Sequence, residues 1–150
     1  MQKRADRRSA LNDLASHLLH NASQRADGLF AKEAGDADVT PRQFALLIAV
    51  GELDEPSQTD LVEATGIDRS TLADIVRRMM QRGLLERRRS RADARAKLVR
   101  LTREGERVLK SVRPKAVKAN AALLGNLSAD QRTALLDVLK VVSGEWGVRK

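Results

Sequence analysis

The apolar residues of this chain change their period at a single glycine, and that switch limits the folds open to it. Before Gly83, Leu72, Ile75, Val76 and Met79 recur at i, i+3, i+4 and i+7, the pattern of one helix face. After it, Leu84 to Arg89 and Lys97 to Leu101 read as two short strands around the polar, arginine-rich loop Ser90 to Ala96. The reading is a helix feeding into a β-hairpin with a charged tip. Upstream, Ser57 caps a short helix that holds Leu61, Val62 and Ala64 and ends at Thr65-Gly66, where glycine permits a left-handed turn. Asp68 then caps the next helix, so Thr65-Gly66-Ile67-Asp68 joins two helices into a candidate helix-turn-helix.

Helical signals surround this unit. Residues 9 to 33 carry Leu11, Leu14, Leu18, Ala22 and Leu29 at helical spacing, with Leu19, Ala26 and Phe30 beside them. Thr40-Pro41-Arg42-Gln43 supplies an N-cap, a first-turn proline and a glutamine at the third position, and the helix it opens stops at Asp54-Glu55-Pro56. Thr102 with Glu104 starts another helix that carries Val108, Leu109, Val112, Val117 and Leu123 to about Gly125, with a bend or break expected at Pro114. Ser128-Ala129-Asp130-Gln131 opens the last, with Leu135, Leu136, Leu139 and Val142 along one side. The expected class is mainly α with one small hairpin. Its parts are an N-terminal helical segment over 1–39, the helix-turn-helix and hairpin over 40–101, and C-terminal helices over 102–150.

Charge singles out the central unit. Of 28 lysines and arginines against 20 acidic residues, 11 basic and 3 acidic ones fall between Arg69 and Arg100, and the rest of the chain is balanced at 17 each. The whole excess of +8 therefore sits in one segment. Such a field is the footprint of a surface that meets a polyanion, because each neutralised phosphate releases condensed counterions; the bland reading is a solvated face. The absence of cysteine removes disulfides, thiolate metal sites and thiol redox chemistry. Phe30, Phe44 and Trp146 are the only aromatics, too few for a platform that stacks single-stranded bases. No run approaches the roughly 18 apolar residues of a membrane span and no targeting segment is evident, so a cytoplasmic location away from membranes is expected.

Projected at about 100° per residue, Ser70, Asp74, Arg77 and Gln81 lie opposite the apolar face of the second helix, where they would meet a groove. Ser70 lies in the first turn, which favours a phosphate, and Arg69 and Thr71 flank it. Arg77 has the fork for a bidentate contact to guanine. Asp74 can accept from a cytosine amine or orient Arg77 or Arg78; orientation is the preferred reading. On the hairpin loop, Arg91 and Arg95 are placed to reach an adjacent minor groove, with Asp93 as a brace.

These stretches resemble the MarR (multiple antibiotic resistance regulator) family of winged-helix transcription factors. The resemblance rests on Thr40 to Leu47, Leu61 to Leu72, Arg82 to Arg87, and Asp93-Ala94-Arg95 continuing to Leu101-Thr102, the family's D-x-R, five residues, L-T wing signature. It covers nearly the whole chain. It implies a homodimer held by the first and last two helices, a recognition helix in the major groove of double-stranded DNA, and Arg95 in the minor groove. Members usually repress, and many are released by a small molecule bound between the dimerization and DNA-binding parts. An aromatic acid, a phenolic or an acyl-CoA thioester would fit that role, although the scarcity of aromatics weakens a stacked ligand.

Other residues invite sharper readings than they support. His17 and His20 share a helix face, but no third ligand makes them a metal pair, and no metal or cofactor is expected. His17, Phe30 and Phe44, with Leu18, are candidates to line an effector cavity, though apolar stripes usually pack as core. Lys3, Arg4, Arg7 and Arg8 can form a basic arm or simply be a charged terminus, and Trp146 is expected at a subunit contact. No phosphate loop, metal cluster or nucleophile elbow is present, so the chain does not read as an enzyme. A helical module that binds another regulator is the alternative, and duplex-RNA binding a third; salt-dependent binding to duplex DNA separates them.

Overall fold

The computed structural model describes residues 10–90 and 97–144. Its elements are α1 (Ala15–Ala34), a 3-10 turn (Gly35–Ala37), α2 (Pro41–Glu52), α3 (Gln58–Thr65), α4 (Arg69–Gln81), β1 (Leu85–Arg89), β2 (Lys97–Leu101), α5 (Arg103–Leu124) and α6 (Ala129–Val142). The starts of α2 to α6 follow from local chemistry. Thr40 with Gln43, Ser57 with Asp60 and Ser128 with Gln131 form reciprocal capping boxes, while Asp68 and Thr102 cap α4 and α5 by accepting from the third residue on. Gly66 and Gly83 close α3 and α4 at φ 67° and 71°, a region that penalises any side chain.

Two expectations are corrected. The periodic stretch from residue 9 is not one helix: helical residues 10–12 are followed by a turn and by extended Leu14 (φ −90°, ψ 103°), and α1 begins at Ala15 without a side-chain cap. Leu11 and Leu14 are exposed, so helical spacing alone had nothing in the protomer to pack against. Of the bend or break expected at Pro114, the break does not occur, and α5 runs through it from Arg103 to Leu124. The proline forfeits one backbone hydrogen bond, but α5 lies along α1 with Val112 and Ala119 buried, and Lys115–Asp36 (2.6 Å) and Lys118–Glu33 (2.8 Å) pin the helices just beyond it.

The core runs continuously from α1 to the hairpin. Leu46, Leu47, Leu61, Leu72, Val76, Met79, Val99 and Val112 are fully buried, and among the described residues no polar or charged side chain is. β1 and β2 pair antiparallel from Leu85↔Leu101 to Arg89↔Lys97. The free edge of β2 is met by the α2–α3 loop, where Pro56 O accepts from Val99 N–H at 2.9 Å.

One joint fixes α4, the hairpin and α5 relative to each other. The Thr102 hydroxyl donates to Gly83 O at 2.6 Å and accepts from Gly105 N–H at 3.0 Å, while Thr102 N–H donates to Leu84 O at 3.1 Å. Gly105 lies so close that a Cβ there would stand 2.0 Å from Leu84 O. Gly105→Ala is therefore expected to destabilise the fold by about 1–3 kcal/mol or more, as overpacking against backbone does. Gly28→Ala, inside α1 with nothing within 4 Å, is expected to stabilise by about 0.5–1 kcal/mol. Urea denaturation of both variants checks the pair, and equal shifts would contradict the close approach.

Candidate nucleic-acid interface

The presentation of α4 is set by the residue that caps it. Asp68 Oδ1 accepts from Thr71 N–H at 2.9 Å and from the Ser70 hydroxyl at 2.8 Å. The Thr71 hydroxyl and N–H, then the Ser70 hydroxyl, hold the Asp68 carboxyl well below the usual range. The N-terminal turn thus already faces a carboxylate. Sequence spacing offered Ser70 to a phosphate; in the structure its hydroxyl donates to Asp68, a charged acceptor two residues away. Arg69 extends across the turn, where Nη2 donates to Thr59 Oγ1 at 3.2 Å and ties α4 to the start of α3.

Along the helix, Ser70, Arg77 and Gln81 are exposed and Asp74 and Thr71 half-buried, which is the face the projection predicts. Asp74 sits between two guanidiniums. Arg77 bonds one carboxylate oxygen and Arg78 Nε lies 2.8 Å from the other. The Arg77 hydrogen bond, helped by the charges of Arg78 and Arg77, keeps the Asp74 carboxyl below its ordinary value. Both arginines remain more than half exposed, 57% and 64%, so the brace restrains them without hiding their outer N–H groups. This is the bracing geometry, and it leaves the triad with one net positive charge.

Beside this face an open cleft of about 1180 Å³ runs between α1, the α1–α2 loop and the C-terminal end of α4. Phe30, Asp38, Arg42, Arg78, Gln81 and Arg82 line it. Arg82 caps α4 and reaches Asp38 at 3.5 Å; Asp38 holds a left-handed φ of 49°.

A winged helix-turn-helix with a braced arginine face now has relatives to be set beside. The profile of the MarR family matches residues 37–96. The chain is 32% identical over 130 residues to the HTH-type transcriptional repressor NicR of Pseudomonas putida, covering 87% of this chain and 82% of that one. The chain belongs to the MarR family. Its fold superposes on BpsR of Bordetella bronchiseptica, a structure described for regulation of DNA binding by 6-hydroxynicotinic acid, with a TM-score of 0.83 at 31% identity, covering 88% of this chain and 94% of that one. A cysteine-to-serine mutant of Escherichia coli MarR complexed with operator DNA matches with a TM-score of 0.78 at 26% identity, over 85% and 91% of the two chains. The chain is thus a DNA-binding transcriptional regulator with the winged-helix fold of the MarR family.

Within this MarR-family fold, Arg69, Ser70, Thr71, Asp74, Arg77 and Arg78 share α4. Arg91, Asp93 and Arg95, together with Lys3, Arg4, Arg7, Arg8 and Trp146, lie outside the described residues. Of the effector candidates, Phe30 and Phe44 meet with ring centroids 5.7 Å apart at 44°, Phe30 lining the cleft from the core. His17 is not with them: thirteen residues earlier on α1, it lies about 20 Å along the axis and contacts Asn21 at 3.1 Å. Leu18 beside it is exposed. Sequence reading missed Asp38 and Arg42 as cleft residues, because only the fold brings the α1–α2 loop against the end of α4. Among the described residues, no three His, Cys, Asp or Glu side chains converge as a metal site, and no helix is long and apolar enough to cross a membrane.

The depressed carboxyls give the fold an acid limb. Unfolded aspartates titrate near pH 4, so the cap bonds of Asp68 contribute fully above that value and are lost as pH falls through its lower folded value. Urea midpoints are expected to hold level from about pH 5 to 7 and to fall below about pH 4. Asp68→Asn, which keeps an acceptor at the cap but cannot titrate, is expected to lose part of that fall. An acid limb identical to wild type would assign it to other carboxyls.

Proposed function

We propose that the chain acts as a homodimeric, effector-responsive repressor on an approximately palindromic operator. The observation that carries this is the exposed Arg77–Asp74–Arg78 triad of α4 next to a basic hairpin. Two-fold pairing is supported by α6, which buries none of its own residues and exposes Leu136, Val138, Val141 and Val142, and by exposed Leu11, Leu14, Leu18 and Leu19 near the start of the chain. Pairing would set the two recognition helices on half-sites about 34–36 Å apart, one helical turn.

Arg77 is the base-reading residue of this proposal, Arg69, Ser70, Thr71 and Arg78 its neighbours at the groove, Asp74 the brace, and Arg91 and Arg95 the minor-groove contacts with Asp93 between them. The effector enters the cleft, where Arg42 and Arg82 offer guanidiniums to an anion and Phe30 a ring face. A small aromatic acid suits that lining, and BpsR, whose DNA binding is described as regulated by 6-hydroxynicotinic acid, is a relative that answers to such a compound. An anion at Arg82 competes with Asp38, so binding is coupled to the end of α4. A coupling of about 1–3 kcal/mol suffices for a regulatory response.

Selection of bound fragments from random duplex DNA, followed by release with panels of aromatic acids, phenolics and acyl thioesters, tests this reading. Arg77→Ala is expected to cost about 1–3 kcal/mol, concentrated at particular base pairs. A uniform loss across all sequences would make Arg77 a phosphate contact. Asp74→Ala is expected to blur sequence preference while leaving the net charge of the helix more positive, and a sharpened preference would remove the brace. Arg95→Ala with unchanged operator affinity would remove the wing contact.

A further inference from the structure

The pairing register of the hairpin divides its cations between two faces. Side chains directly opposite each other in an antiparallel ladder lie on the same side. One face carries Glu86 with Arg100, an ion pair, and Arg88, whose Nη1 reaches Glu55 at 3.7 Å. Glu55 makes that contact from a left-handed φ of 47°, a conformation uncommon for a residue with a side chain. Every arginine of β1 and β2 on this outer face has a carboxylate.

The other face is different. At the base of the hairpin it is core, with Leu85 and Val99 buried and Leu101 packed against them. Toward the tip it continues as Arg87, opposite Val99, and then Arg89 directly opposite Lys97. All three cations are exposed and, among the described residues, none has an ion pair. Like charges directly opposite each other in a ladder are destabilising, and Arg87 adds a third on the diagonal. The free protein therefore holds a repulsion that its other face has removed with acidic partners.

We propose that Arg87, Arg89 and Lys97 form a phosphate-binding row along the stem of the wing, which takes the sugar-phosphate backbone of the DNA that α4 reads. Three features of the chain select this occupant. The row is open rather than a pocket, with Arg87 and Arg89 about 6.7 Å apart along the strand, close to the through-space spacing of neighbouring phosphates on one DNA strand, whose winding adds to its axial rise of about 3.4 Å. β1 starts soon after α4 and packs against it, so the row stands on the strand seated directly against the recognition helix. The repulsion between Arg89 and Lys97, which salt screens in part, is relieved further by an anion that meets both. The row rests on the DNA-binding role and adds to it a sequence-independent contact, separate from the groove-reading face of α4 and from the tip of the loop.

Two double variants of the full chain remove equal charge from opposite faces of the same hairpin: Arg87→Gln with Arg89→Gln, and Arg88→Gln with Arg100→Gln. Affinity for a selected operator duplex is measured between about 50 and 200 mM salt. Each lost phosphate contact lowers the slope of log K against log salt by about 0.9. The first double is expected to lower it by about 1.8 per protomer, so that over this fourfold range it loses about twelvefold less affinity per protomer than wild type does. The second is expected to keep the wild-type slope. Equal slopes in the two doubles, or a larger drop in the second, overturn the row while leaving DNA binding intact. A wild-type chain with no affinity for duplex DNA overturns both.

A second measurement separates the row from a merely structural role. Arg89→Glu puts a carboxylate opposite Lys97, and is expected to raise the melting temperature of the free protein while weakening binding to operator and to unrelated duplex by the same factor. A lowered melting temperature, unchanged binding, or a loss confined to operator overturns the proposal.

Discussion

The contact on which the presented surface depends is the seat of α5 against the end of α4. Thr102 fills both hydrogen-bonding roles of its hydroxyl there, donating to Gly83 O and accepting from Gly105 N–H, and no side chain fits between Gly105 and the Leu84 carbonyl. Recognition helix, hairpin base and long helix leave this point in directions fixed by backbone contact rather than by side-chain packing. A flexible side chain at such a joint would let the three elements pivot. With backbone against backbone, a displacement of α5 is passed to α4 and the wing together. The L-T pair that closes the wing signature thus has a mechanical role: Leu101 packs against the core, and Thr102 pins the joint.

Acidic residues in and beside the basic segment act as instruments of placement. Asp68 occupies the start of α4 and engages Ser70 and Thr71; Asp74 holds Arg77 and Arg78; Glu86 holds Arg100. Asp74 restrains two guanidiniums that stay more than half exposed, while Glu86 takes up the one of Arg100. Exposed pairs of this kind add little to folding stability, so their value lies in geometry. An arginine restrained before binding loses less side-chain entropy on meeting a base or phosphate.

Much of the chain was legible because its punctuation is local. A capping box needs only four residues, and Thr40, Ser57, Asp68, Thr102 and Ser128 all open the helices their spacing announces. The change of period at Gly83 located the hairpin, whose first strand begins one residue late because Leu84 N–H still closes α4 on Met79 O. What sequence could not supply was set by distance in space. The break at Leu14 and the continuity of α5 through Pro114 depend on whether a packing partner is present. Asp38, Arg42 and Arg82 line one cleft although they are scattered along the chain. His17 and Phe30 looked like neighbours only because a helix was read without its length. The division of the wing's arginines into paired and unpaired faces was latent in strand alternation, but required the register to be known.

The interior has a bearing on how this architecture drifts. Among the described residues it holds only apolar side chains, so none of its positions is tied to a hydrogen-bonding partner. Cores of that kind accept exchanges among Leu, Ile, Val and Met when total volume is kept. Substitutions can therefore accumulate inside without moving the outward-facing arginines, consistent with a TM-score of 0.83 to a relative that shares 31% of its residues. Lineages of this fold are free to age from within while the surface that selects the promoter changes on its own schedule.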